Sequence, residues 1–219
     1  MKKLTVALCF FAFTCFASAQ SLDAVLARMD QAAPDFRGVS ANVRMAQFTA
    51  ILSDTTNESG TFEMQKQKNG DVRALLKLGS QWLFFERKTV RIYYPKVNAY
   101  QDYDMGKNLG NALNSFLLLG FGTSGKQLAQ SYNIKFEGTE KVAGQDTSKL
   151  LLVPKDKKVL EHLDRVEVWI PANGANPVQQ QFYEPSGNWR KLTYSNTVLN
   201  PPVHGVLELQ LPPGAKKQG

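Results

Sequence analysis

The sequence predicts a mainly β protein with few helices, built on a large antiparallel sheet of about ten or eleven strands that must curl. Three observations carry this expectation. Short runs with period-two alternation recur along most of the 219 residues, as strands with one buried face require. Tight turns such as Asn69-Gly70 and Pro185-Ser186-Gly187-Asn188 join them, which favours meanders over crossover helices. Helical periodicity is confined to one segment near the N-terminus and one in the middle. A sheet of that many strands rarely stays flat.

The chain opens with Lys2 and Lys3, a mostly apolar run over 4–16 and Ala17-Ser18-Ala19, the three regions of a cleavable secretory signal. Residues 1–19 are therefore expected to be removed after Ala19, leaving 20–219 as one exported domain. The apolar run is too short to span a bilayer, which takes roughly 20 residues. Cys9 and Cys15 are the only cysteines and both leave with the leader, which excludes disulfides, cysteine-metal sites and a thiol nucleophile from the mature form. The net charge is +7, of which the leader lysines supply two. Basic residues are scattered, with short clusters at 66–68, 155–158 and 216–217, so nucleic acid is not an expected partner.

Taking the elements in order, Ser21 caps a helix whose Leu22, Val25, Leu26 and Met29 share a face, and Pro34 ends it. A strand over 39–47 and a polar turn over 54–59 follow. Residues 60–67 alternate, with Phe62 and Met64 pointing one way, and Asn69-Gly70 returns the chain into a strand over 73–78. Strands over 81–86 and 90–94 come next, ending at Pro95. Between 107 and 132 the period becomes helical, with Leu109, Leu113, Phe116 and Leu117 on one stripe and a short second helix over 124–132. Gly120, Gly122 and Gly125 punctuate it as turn or hinge positions. Strands resume over 134–138, 148–154, 165–171, 178–184, 189–197 and 206–211, with Val166, Val168 and Ile170 sharing a face. The helices either complete a packed core or cover a concave apolar face as a lid.

Several phrases, in order, carry a resemblance: Ser40-Ala41-Asn42-Val43-Arg44-Met45, Gly60-Thr61-Phe62, Val90-Arg91-Ile92-Tyr93-Tyr94-Pro95, Asn114-Ser115-Phe116-Leu117-Leu118-Leu119-Gly120, and Leu-Glu-Leu-Gln-Leu-Pro-Pro-Gly from Leu207 to Gly214. Together they resemble the outer-membrane lipoprotein carriers of the LolA/LolB type over nearly the whole mature chain. The resemblance implies an incomplete, half-open antiparallel barrel with an N-terminal helix and a central helical lid. It also implies a monomeric periplasmic carrier that takes acylated lipoproteins from an inner-membrane ATP-driven extractor to an outer-membrane acceptor. Family members carry Arg-Pro after the Gly-x-Phe strand, whose arginine ties lid to barrel. Here the stretch is Lys66-Gln67-Lys68-Asn69, so Lys66 is the candidate latch, without the planar fork that holds two carbonyls at once.

A carrier needs apolar surface, at roughly 0.8 kcal/mol per buried methylene. Uninterrupted alternation assigns the concave wall to Phe62, Met64, Leu76, Leu78, Trp82, Phe84, Ile92, Val166, Val168, Ile170 and Phe182, under a lid of Leu109, Leu113, Phe116 and Leu117. Catalysis finds little support: His162 and His204 are the only histidines and sit in no nucleophile or metal motif, and Asp102 and Asp104 read as solvated strand-edge carboxylates. No cofactor or metal is expected. The second reading is a lipid-binding sensor or accessory protein of the same fold with another lipid cargo. Envelope-stress regulators use such sheets, usually with a second domain, for which this chain is expected to have no room.

Overall fold

The computed structural model describes residues 21–104, 119–202 and 205–218. The expected signal, His204 and the lid residues Leu109, Leu113, Phe116 and Leu117 lie outside these.

Twelve strands form one open sheet in the order β12-β6-β5-β4-β3-β2-β1-β11-β10-β9-β8-β7. The first meander runs β1 (Gly38–Thr49), β2 (Asp54–Lys66), β3 (Val72–Leu78), β4 (Trp82–Glu86), β5 (Thr89–Tyr94) and β6 (Ala99–Asp104). The second runs β7 (Tyr132–Val142), β8 (Gln145–Pro154), β9 (Arg165–Pro171), β10 (Gln179–Tyr183) and β11 (Trp189–Leu199). Antiparallel pairing of β1 with β11, centred on Val43↔Tyr194, joins the two. The half-open barrel expected from the sequence is thus the observed architecture.

Among the described residues three short α-helices accompany it: α1 (Leu22–Ala32), α2 (Gly125–Ser131) and α3 (Lys157–Leu160). The Ser21 hydroxyl accepts the Ala24 N–H and starts α1, while Ser124 and Gln127 form a reciprocal capping box on α2, satisfying amides that a helix start leaves unpaired. Both helices lie on the inner face of the second meander, where Val25, Met29 and Leu128 pack on Leu150, Leu152, Val166, Val168 and Ile170.

Two expectations are corrected and two elements are added. Residues 54–59 are strand, not turn: they pair with Glu58↔Met45 through Asp54↔Thr49, and the true turn is 50–53. Their polarity reflects an exposed hairpin arm, since the ladder with β3 begins only at Gly60. Residues 99–104 form β6, whose Tyr-Gln-Asp-Tyr-Asp composition masked it. Lys157–Leu160 adds a helical turn capped by Asp156.

Residues 206–211, expected as a strand, instead form an extended strap across the outer face. Leu207 N–H donates to Gln65 Oε1 at 2.7 Å and its carbonyl accepts from Arg73. Further along, Asn98 donates to the Pro213 carbonyl, and Lys216–Lys217 form β12, a short parallel partner of β6. The strap's alternation survives without a ladder: Leu207, Leu209 and Leu211 are half-buried, and Val206, Glu208 and Gln210 are exposed. Between its two pins lie outer-face residues Leu75, Phe84 and Tyr93, each buried.

Candidate functional site: the inner face and its basic rim

Which side chains face inward is fixed by register, because directly paired residues share a face. Val39↔Met64, Ala41↔Phe62, Met64↔Ala74 and Phe62↔Leu76 put Phe62, Met64, Leu76 and Leu78 on the inner wall. The turn after Leu78 then changes parity. Leu76 pairs with Leu83 and Ala74 with Phe85, so β4 faces inward with odd residues. The next turn restores it through Leu83↔Ile92, and Ile92 is inward.

Trp82 and Phe84 are therefore corrected to the outer face. Trp82 rests there on Tyr93, with ring centroids 4.9 Å apart, beneath the Lys77 ammonium. Alternation is reliable within a strand, yet each tight turn sets it anew, and the sequence offered no means of counting this one.

In the second meander Val166, Val168, Ile170 and Phe182 all face inward, through Leu152↔Val166, Leu150↔Val168 and Phe182↔Val166. They do not line open space. The three β9 residues are at most 2% exposed, sealed under α1, α2 and Leu119. The two halves of the inner wall thus differ, since Leu76, Leu83, Phe85, Ile92 and Tyr94 remain half-buried and Tyr103 is 42% exposed.

Along the seam lies a plug that sequence reasoning missed. Phe121 is fully buried, 5.7 Å from the Phe62 ring and edge-on to Tyr194 at 5.1 Å. Gln180 sits inward between them, donating to the Leu119 carbonyl and accepting the Tyr194 hydroxyl at 2.6 Å. A buried glutamine is costly without both bonds. Burial also pushes the Tyr194 hydroxyl well above its usual range, so it remains a donor. An inward glutamine within Val178-Gln179-Gln180-Gln181-Phe182 was the available signal for this network.

Of the three punctuating glycines, two have definite packing roles. Gly122 sits at φ +63° with a Cβ position only 2.1 Å from the Phe36 ring, and Gly125 lets α2 approach Leu26 of α1, where a Cβ would stand 2.7 Å from its backbone.

At the end of the sheet where β1 begins and β2 ends, a cavity of about 860 Å³ opens. Its wall includes Arg37, Lys66, Lys68, Arg73 and Arg87 against Asp71 and Glu86. Arg73 pairs with Glu86, and Arg87 with Asp71 at 2.7 Å, holding the Asp71 carboxyl below its usual range. Arg37, Lys66 and Lys68 have no ion pair among the described residues, so the rim is net basic. Lys66, the candidate latch, is exposed there, and its backbone N–H donates to the Arg37 carbonyl at 2.8 Å. Phe36 and Val72 line this cavity and also belong to the inner-face apolar cluster, while Gln65, Arg73, Glu86 and Val206 of the strap bound it on the outer side, so it straddles the sheet edge between the two faces.

Asp102, read as a solvated carboxylate, is ion-paired: Arg91 grips it at 2.6 and 3.0 Å and Lys217 reaches it at 3.1 Å. Among the described residues no group of three His, Cys, Asp or Glu is arranged to hold a metal, and no helix is long and apolar enough to cross a membrane.

With this geometry in place, comparison with known proteins decides the family. The model of the MucB/RseB N-terminal domain matches residues 21–162, from α1 through α3. The chain belongs to the MucB/RseB N-terminal domain family. Similar solved structures include Mycobacterium tuberculosis lipoprotein LppX (18% identity, 84% of this chain and 99% of that one, TM-score 0.47). A putative outer membrane lipoprotein-sorting protein domain from Vibrio parahaemolyticus is also similar (12%, 84% and 95%, 0.43). So is the Pseudomonas aeruginosa MucA/MucB complex (16%, 84% and 58%, 0.43). At such values these likenesses carry no functional argument. No curated protein matches the chain significantly.

Proposed function

We propose that this MucB/RseB-family chain is an exported, periplasmic lipid-binding protein that holds acyl chains against the inner face of its half-barrel, with an anionic headgroup at the basic rim. The observation that supports this best is that Phe36 and Val72 belong both to the rim cavity and to the inner-face apolar cluster. Acyl chains entering there meet Phe62, Met64, Leu76, Leu78 and Ile92 on the half of the wall that α1 and α2 leave unsealed. Occupancy of the seam requires Leu119 and Phe121 to leave it, so ligand and plug compete for one groove. Lys66 takes a headgroup or latch role by position and charge, and Phe182 and the β9 residues serve as core beneath α1.

Two uses fit such a site. A carrier loads and releases lipoproteins between an inner-membrane extractor and an outer-membrane acceptor. The family match favours the second use, a lipid-responsive accessory that reports occupancy to a partner protein. Neither requires a catalytic group.

Native mass spectrometry of protein purified from the envelope separates them. A bound lipoprotein supports the carrier, a bound free lipid supports the accessory, and an empty protein from which no acyl ligand displaces a hydrophobic dye removes the binding reading altogether. In the same dye assay, Ile92→Asp puts a charge on the open half of the wall and is expected to weaken acyl-ligand binding by at least about tenfold. An unchanged affinity would show that acyl chains do not lie there.

A further inference from the structure

The end of the molecule opposite the rim carries a second apolar feature. β1 and β2 continue past the start of the β3 ladder as an arm, residues 54–59 of β2 covering about 20 Å at the usual rise per residue. At its tip Ile51 is 91% and Leu52 71% exposed, the two most exposed large apolar side chains among the described residues. Neighbouring apolar residues projecting together into water are uncommon without a partner.

The tip is rigid. Ser53, at φ 48°, donates its N–H to the Ala50 carbonyl at 3.1 Å, closing a 3-10 turn. The Ala50 N–H in turn donates to Asn188 Oδ1 at 2.9 Å, which ties the arm to the β10–β11 turn. Behind the tip Phe48 and Trp189 stack at 5.8 Å with ring planes 14° apart, and Lys191 lies over the Trp189 ring. Thr55 stands directly opposite Phe48, and beyond the aromatic pair Thr56 and Asn57 are exposed. From the tip inward the order is aliphatic pair, the Thr49–Asp54 pair, the aromatic pair, then hydroxyl and amide side chains. That sequence of layers matches a bilayer surface, where aliphatic groups enter the acyl boundary and Trp sits at headgroup level.

We propose that the β1–β2 hairpin tip inserts Ile51 and Leu52 into a lipid bilayer surface and orients the half-barrel on it with the rim pointing away. Near the tip Arg190 is bonded to Glu184, and the remaining charges, Lys191 and Asp54, are of opposite sign. Insertion is therefore driven by apolar burial and should persist in high salt, unlike electrostatic adsorption.

Flotation of the whole protein with vesicles of phosphatidylethanolamine and a minor fraction of phosphatidylglycerol tests this. The double variant I51S/L52S is expected to lose at least about tenfold in vesicle partition, with unchanged melting temperature and unchanged binding of a soluble acyl probe. That last readout separates the tip from the cavity, since loss of both would place the effect in the groove. Brominated lipids should quench Trp189 fluorescence in the wild type and not in the variant. Absence of vesicle binding, equal binding by the variant, dissociation by salt, or a requirement for an added protein would each overturn the proposal.

Discussion

At the scale of single residues, the site depends on side chains that are absent as much as on those present. Gly122 carries the chain past Phe36 at a distance no Cβ tolerates and at a φ that L residues avoid. Gly122→Ala should therefore push Phe121 off its seat between Phe62 and Tyr194, destabilising by about 2–3 kcal/mol in urea denaturation. If competition between plug and ligand operates, the same variant binds acyl probes more tightly; an unchanged midpoint would mean that the segment yields freely. Part of this was legible in the sequence, where the glycines stood out as punctuation. Their reason was not, because the ring that Gly122 must clear is supplied by Phe36, far away along the chain.

At the scale of elements, the strap is the feature whose function differs most from its local pattern. Leu207, Leu209 and Leu211 alternate as a strand would, yet they cover the outer face without joining a ladder, held by Gln65, Arg73 and Asn98. Its far end docks through β12 and the Lys217–Asp102–Arg91 cluster. The hydrogen bond from Arg91, then that from Lys217, holds the Asp102 carboxyl below its ordinary 3.8 despite partial burial. A lowered folded-state value means that the cluster stabilises the fold above pH 3.8 and that this contribution disappears as pH falls through the depressed value. Hydrogen exchange at the Lys216 and Gln218 amides, which donate to Asn98 and Tyr100, should accelerate below about pH 4 before the sheet opens. Asp102→Asn should reproduce that loosening at neutral pH. Equal protection in the variant would show that backbone pairing alone holds β12.

The molecule as a whole is two meanders sharing one seam. β1 pairs with β11 along most of its length, and the Phe121 plug bridges the halves on the inner side, while α1 and α2 pack on the second meander. Val43, 3% exposed and opposite Tyr194, sits at the centre of that seam. Val43→Asp should cost about 3 kcal/mol or more by burying a charge. Reporters retaining only Trp82 or only Trp169 should unfold together in urea, as a single cooperative unit does; separate midpoints would show that each meander stands alone.

The sequence by itself determined the elements whose signal is local. Alternation found most of the strands and grouped Phe62 with Met64 and Val166 with Val168 and Ile170, capping found the start of α1, and Asn69-Gly70 found its hairpin, because side-chain period and turn chemistry are properties of a few consecutive residues. Tertiary structure decided what depends on counting across turns or on distant partners. It placed Trp82 and Phe84 outside through turn parity, laid the strap over them, seated Phe121 and Gln180 at the seam, and opened the cavity at the rim between segments from both ends of the chain. Burial and pairing are set by whatever arrives from elsewhere, and no local pattern records that arrival.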